Sequence, residues 1–181
     1  MRVQEDTMKS VEEYIVSIPD FPAPGIIFRD VTGILQHADG LKLGIDQLTD
    51  LARELKADAI AGLEARGFIF GTPIAYNLGV PFVPVRKKGK LPRATVEKTY
   101  KLEYGTATIE IHKDAIKPGQ RIVLVDDLVA TGGTLKAAAE LVEELGGKVA
   151  GIIALIELEG LKGREVLKGY ELKTIIKYPG A

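Results

Sequence analysis

Arg121-Ile-Val-Leu-Val-Asp-Asp-Leu-Val-Ala-Thr-Gly-Gly-Thr134 is the stretch whose reading decides the fold. An apolar run that ends in acids reads as a buried parallel strand whose carboxyl end reaches solvent. The acids here are Asp126 and Asp127. Ala130-Thr-Gly-Gly-Thr134 carries little side-chain bulk, so its backbone N–H groups can approach a ligand closely. Thr134 is placed to cap the helix that follows, and a helix N-terminus attracts an anion. The stretch therefore offers a phosphate cradle beside two carboxylates. Acids make sense there if they hold hydroxyls, or water on a divalent cation. A glycine pair after a strand would by itself be an ordinary crossover; the paired acids shift the reading toward phosphate. No Gly-Lys-Ser/Thr follows, so this is not a P-loop, and the dinucleotide pattern Gly-x-Gly-x-x-Gly is absent from the turn.

Working outward, strands and helices alternate. Ser10-Val-Glu-Glu13 has the form of a capping box, with Val11, Tyr14, Ile15 and Ile18 as the apolar face of a first helix ending before Pro22. Leu41, Ile45, Leu48, Ala52 and Leu55 keep helical spacing through a second. Ala59 to Leu63 reads as a buried strand, Phe68 to Leu78 as a helix containing Pro73, and Val80 to Val85 as another apolar strand. Thr106-Ala-Thr-Ile-Glu-Ile111 alternates, which predicts a half-exposed antiparallel strand. Pro118-Gly119 turns the chain into the opening stretch. After it, Leu135, Ala138, Leu141, Val142 and Leu145 form a helix face closed by Gly146, and Val149 to Ile156 is a further buried strand. This alternation predicts an α/β fold with a mostly parallel sheet, whose ligands sit beyond the carboxyl ends of the strands.

Three other clusters carry chemistry. Arg86 to Lys101 holds seven basic residues and one acid, Glu97. Gly89 and Pro92 interrupt it, so part of it is expected to be a mobile loop able to close over a polyphosphate. Such a charge run is more often a solvated hairpin. Its confinement to one segment after a central strand favours a small anion over nucleic acid. Glu103 closes that segment and becomes a candidate acid/base or hydrogen-bonding group. In Leu63-Glu-Ala-Arg-Gly-Phe68 a strand ends in Arg66 where a helix begins, a second anion-binding turn or else a plain strand-end ion pair. Asp20 to Asp30 is irregular yet apolar, with Phe21, Ile26, Ile27 and Phe28, and reads as a core plug or as a hood over a flat ligand.

Composition excludes several classes. A chain of 181 residues with net charge −1 is one domain's length and no polycation seeking nucleic acid. It has no cysteine, which removes disulfides, thiolate zinc sites and thiol nucleophiles. Its only serines, Ser10 and Ser17, argue against a serine hydrolase, and His37 and His112 lack metal-ligand spacing. No run is long enough to span a membrane and the acidic N-terminal segment does not look like a signal peptide, so a soluble cytoplasmic protein is expected.

Val125 to Thr134 resembles the phosphoribosyl-pyrophosphate motif of the type I phosphoribosyltransferases. Four further segments resemble the adenine subfamily: Asp20-Phe-Pro with Pro24-Gly-Ile-Ile-Phe-Arg-Asp30; Glu64-Ala-Arg-Gly-Phe68; Arg86-Lys-Lys-Gly-Lys-Leu-Pro92 with Tyr100-Lys-Leu-Glu-Tyr-Gly105; and Leu161-Lys-Gly-Arg164. They stand in family order, and Glu64-Ala65 replaces an acid-Ser pair common in relatives. The resemblance implies a type I phosphoribosyltransferase-like fold over 1–181, with the adenine hood within 1–40 and a flexible basic loop and catalytic segment over 86–105. It implies formation of AMP and pyrophosphate from adenine and phosphoribosyl pyrophosphate, with Mg²⁺ held by substrate and water near Asp126 and Asp127 rather than by direct protein ligands.

On the same basis Ala130, Thr131, Gly132, Gly133 and Thr134 would hold the 5′-phosphate. Asp126 and Asp127 would meet the ribose hydroxyls, and Arg66, Arg86, Lys87 and Lys90 the pyrophosphate. Ile27, Phe28 and Arg29 would frame adenine with Leu158 opposite, and Glu103 would act on the base. A homodimer is implied, without nucleic-acid or membrane partners. The alternatives are the same chemistry on xanthine or guanine, and a non-catalytic sensor of the sugar pyrophosphate.

Overall fold

The computed structural model describes residues 9–102 and 104–180. The chain divides into two compact units, 1–44 and 45–181. In the first, a 3-10 turn over Val11–Tyr14 is followed by a hairpin of β1 (Val16–Pro19) and β2 (Ile27–Asp30), paired antiparallel from Val16 with Asp30 to Pro19 with Ile27. The helix expected from Ser10 to Ile18 is thus replaced by a turn and a strand. Ser10 makes no side-chain cap bond, and β-branched Val16 and Ile18 suit a strand better than a helix. Asp20 Oδ1 accepts the Gly25 N–H at 2.8 Å, and Phe21 packs edge-on to Phe28 at 5.3 Å between centroids. Asp30 then ties down Thr32, the first residue of α1 (Thr32–Leu35), through both its N–H and its hydroxyl.

The second unit is a seven-stranded sheet. Along the chain come α2 (Ala38–Glu54), within which the unit boundary falls, β3 (Ala59–Leu63), α3 (Arg66–Leu78) and β4 (Phe82–Lys87). Next are β5 (Thr95–Lys101), β6 (Thr106–His112), β7 (Arg121–Val129) and α4 (Gly133–Glu144). The chain closes with β8 (Lys148–Leu158), α5 (Gly163–Val166) and β9 (Leu172–Tyr178). The order across the sheet is β5-β6-β4-β3-β7-β8-β9. β4, β3, β7, β8 and β9 run parallel; β6 is antiparallel to β4 and to β5. This is the mostly parallel α/β sheet with flanking helices that the apolar runs predict.

Two helices cover the centre of the sheet. Ala59, Ala61, Ile122 and Leu124 share a buried cluster with Leu135, Ala138, Leu141 and Val142 of α4. The alternate residues of β3 meet α3: a Cβ on Gly62 would lie 2.9 Å from the Gly67 carbonyl, and one on Gly71 3.6 Å from Ile60. Glycine on both sides is what lets α3 approach. β9 carries only one fully apolar pair, Ile175-Ile176, among polar residues, and is a strand that the apolar runs do not predict. The half-exposed strand expected over Thr106 to Ile111 needs correction. β6 is half-exposed only at its start; Ile109, Glu110 and Ile111 are all buried, the acid included.

Candidate phosphate-binding and transfer site

β7 carries the paired acids within the strand, because pairing with β8 continues to Val129. They do not mark a solvent-exposed end: Asp127 is 4% exposed and Asp126 is half-buried. The start of α3 closes over them. A Cβ on Gly67 would stand 2.7 Å from the Val125 carbonyl and 3.4 Å from Asp126 Oδ1. Asp126 Oδ1 accepts the Asp127 N–H at 2.9 Å. Burial, and then the negative charge of Asp127, push the Asp126 carboxyl well above its ordinary pKa. Arg66, the first residue of α3, donates Nε–H to Asp127 Oδ2. The start of α3 and the acids of β7, 61 positions apart in the chain, thereby meet.

The cradle lies immediately beyond. Gly132 is the N-cap of α4 with φ +81°, a left-handed conformation that favours glycine. The expected Thr134 cap is not formed, and no side chain caps the helix. Thr134 instead donates its hydroxyl to Tyr100 Oη at 2.9 Å, which ties the cradle to β5. An uncapped twelve-residue helix with a glycine entry turns its first N–H groups toward an anion. The turn is shaped from behind by Gly163: a Cβ there would sit 2.3 Å from the Ala130 carbonyl, and one on Gly132 would sit 2.8 Å from the Gly163 carbonyl.

The basic segment is more ordered than its composition suggests. Its second half is strand β5, paired residue by residue with β6. Arg86 and Lys87 end β4. Glu64 grips them from the end of β3, accepting Arg86 Nε–H at 3.3 Å, Arg86 Nη2–H at 3.2 Å and the Lys87 N–H at 2.9 Å. The Arg86 guanidinium holds the Glu64 carboxyl below its ordinary pKa. Glu110, 4% exposed, accepts the N–H groups of Lys90 at 2.9 Å and Leu91 at 2.8 Å. Burial alone would raise its pKa; the backbone N–H groups of Leu91, Gly89 and Lys90 outweigh that and lower it. The Lys87 and Lys90 side chains are exposed.

Glu157 at the far end of β8 is 3% exposed and accepts Arg164 Nε–H at 2.9 Å and the Thr174 hydroxyl at 3.0 Å. The Arg164 guanidinium lowers its pKa. Beside it Leu158 ends the strand half-buried.

The second unit thus brings together Arg66, Asp127 and Asp126, with Ala130 to Thr134 directly following them on the chain. Arg86, Lys87 and Lys90 cluster around β4, the strand paired with β3. Ile27, Phe28 and Arg29 lie on β2 of the first unit, with Ile27 41% exposed. Glu103 lies outside the described residues.

A domain model for the phosphoribosyl transferase domain matches residues 30–178. The chain is 63% identical over 173 residues to adenine phosphoribosyltransferase of Lachnoclostridium phytofermentans, covering 96% of this chain and 99% of the relative. The chain belongs to the adenine phosphoribosyltransferase family. Crystal structures of the family agree. The adenine phosphoribosyltransferase of Thermoanaerobacter pseudethanolicus superposes with a TM-score of 0.89 at 53% identity, covering 93% of this chain and all 100% of that one. The enzyme of Saccharomyces cerevisiae, complexed with an imino-altritol bisphosphate and adenine, gives 0.85 at 41% identity over 91% and 96% of the two chains.

Glu64, Glu110 and Tyr100 brace the candidate site through hydrogen bonds, and sequence reading gives none of them a role of its own. Only Glu64 had a signal, as the acid preceding Arg66 at a strand end. Glu110 sits in an alternating strand on the side that reads as solvent-facing. Tyr100 is one residue in a charged run.

Proposed function

We infer that the protein transfers the 5-phosphoribosyl group from phosphoribosyl pyrophosphate to adenine, giving AMP and pyrophosphate. The observation that carries this reading is the edge where Arg66 pairs with Asp127 and the uncapped N-terminus of α4 follows the two acids. Cradle, acids and cations correspond to the phosphate, ribose and pyrophosphate of one substrate. The Saccharomyces relative bound to adenine supports the choice of base.

In the reaction a bond forms between N9 of adenine and the anomeric carbon. The bond from that carbon to pyrophosphate breaks, and its electron pair leaves with pyrophosphate. Backbone N–H groups of 130–134 anchor the 5′-phosphate and so fix the sugar. Asp126 and Asp127 accept from the ribose hydroxyls, and Arg66 turns from Asp127 toward the pyrophosphate. Charge growing on the leaving group is met by Arg66, Arg86, Lys87 and Lys90, already in place as it develops. Positive charge develops on the sugar, as in glycoside hydrolysis. Ile27, Phe28, Arg29 and Leu158 frame the base, and Glu103 orients a ring nitrogen or takes its proton.

Among the described residues no three His, Cys, Asp or Glu side chains converge on a metal position. The donor set near the cradle is two carboxylates, which suits Mg²⁺ held mainly by substrate oxygens and water. When bound, that ion would neutralise pyrophosphate charge. Among the described residues no helix is long and apolar enough to cross a membrane. Cytoplasmic residence and a homodimer complete the reading.

The test is a product assay with phosphoribosyl pyrophosphate and Mg²⁺ against adenine, hypoxanthine, guanine and xanthine. AMP formation at the highest kcat/KM is expected with adenine. Adenine as the poorest substrate would overturn the assignment. Tight, salt-dependent binding of DNA or RNA without turnover would favour a regulator instead.

A further inference from the structure

Glu110 is a buried acid without a place in the chemistry above. It stands directly across from Arg86 in the β4–β6 pairing, 4% exposed. A negative charge beside a cationic turn opposes anion binding, so its presence calls for a different gain. Its bonds supply one. Oε1 accepts from Lys90 N–H and Leu91 N–H, so the carboxylate is spent on backbone rather than on an ammonium group. The Lys90 carbonyl in turn accepts Arg86 Nη1–H at 3.3 Å, and Glu64 holds the other edge of the same guanidinium. A continuous chain of bonds therefore runs from Glu64 through Arg86 and the Lys90 backbone to Glu110.

We propose that Glu110 is a positioning residue for pyrophosphate: by clamping the backbone of the 89–91 turn it holds Arg86 and Lys90 as a preformed pair of cations. The inference rests on the phosphoribosyl-transfer reading. Glu110 touches no substrate; it removes the ordering cost that a free basic loop would bear on each turnover.

The experiment is steady-state kinetics on E110Q and E110A, with amide hydrogen exchange over residues 89–91. Glutamine can set its carbonyl oxygen where Oε1 stands, but it accepts both N–H groups as a neutral and weaker acceptor. E110Q should raise KM for phosphoribosyl pyrophosphate about three-fold, because two charge-assisted bonds become neutral ones, and speed exchange at 89–91. E110A should raise that KM roughly ten-fold or more. KM for adenine should stay within about two-fold in both, since the clamp lies on the pyrophosphate side alone. E110Q with a wild-type KM for phosphoribosyl pyrophosphate overturns the proposal, even if E110A fails to fold. So does an equal rise in both KM values, which marks a merely structural role. A wild-type protein that makes no AMP refutes the transfer reading instead, and the exchange rates at 89–91 then decide whether Glu110 clamps the turn.

Discussion

In the proposed site, Ala130 to Thr134 would offer an anion its backbone, and Arg86 to Lys90 would offer long cationic side chains. The cradle needs no acid to hold it, since its shape comes from glycines packed against a neighbouring backbone. The basic turn is braced by two carboxylates, Glu64 and Glu110. The acids of the two regions are also tuned oppositely. Asp126 is pushed up by burial and by Asp127, whereas Glu64 is lowered by Arg86 and Glu110 by backbone N–H groups. A backbone cradle is specific through shape and is ready once folded. Flexible cations become specific only when something else fixes them, and that something is costly to bury.

The comparison can be broken most severely at Glu103, which follows the basic run in the sequence. Glu103→Ala should lower kcat by about a hundred-fold or more with the fold intact by circular dichroism. Near-full activity would remove Glu103 from the chemistry. Next is Asp127→Asn, which weakens the Arg66 pair at the cradle's edge. It should reduce kcat/KM for phosphoribosyl pyrophosphate roughly ten-fold while adenine binding, read by calorimetry, changes little.

Gly163→Ala tests whether shape alone makes the cradle. Its Cβ would meet the Ala130 carbonyl at 2.3 Å, so a loss of about 1–3 kcal/mol in urea unfolding is expected, together with weaker AMP binding. Unchanged AMP affinity would separate Gly163 from the cradle.

The opposite tuning of the acids predicts opposite pH behaviour. Glu110 has a folded pKa below its ordinary 4.5, so it contributes stability above that value which is lost as pH falls through the folded pKa. E110Q should therefore cost stability at pH 7, and the gap should close on acidification. Asp126 has a folded pKa well above its ordinary 3.8, so its contribution is present below that value and is lost as pH rises through the folded pKa. D126N should gain on wild type as pH rises. Denaturant midpoints from about pH 3 to 7 check both signs. The smallest effect expected is from Tyr100→Phe, which removes the acceptor of the Thr134 hydroxyl and should cost about 1 kcal/mol or less in thermal unfolding.

The same contrast governs what could be read in the sequence. The cradle is contiguous, so strand, acids, glycine turn and helix stand in one window, and apolar runs are enough to recover β3, β7, β8, α3 and α4. The braces of the basic turn are not local: Glu64 lies 22 positions from Arg86, and Glu110 lies 20 from Lys90. No spacing rule connects them, and alternation along β6 places Glu110 on the wet face. What buries it is the turn itself, folding onto that strand. Near the N-terminus the capping pattern at Ser10 was outweighed by pairing of Val16 to Pro19 with Ile27 to Asp30. Thr134 does not cap α4 because the helix already begins at Gly133 with Gly132 at its N-cap, and the hydroxyl goes to Tyr100 on a distant strand.

Gly163 also sets an order of events during synthesis. The cradle's sequence ends at Thr134, yet the wall that shapes its turn is the backbone at 163, with Leu167 packed behind Gly132. A ribosome-bound chain that has displayed the whole motif still lacks this support. Affinity for the sugar phosphate should therefore arise late, when the segment around 163 emerges and docks, and a nascent or truncated chain holding the motif alone should not sequester substrate.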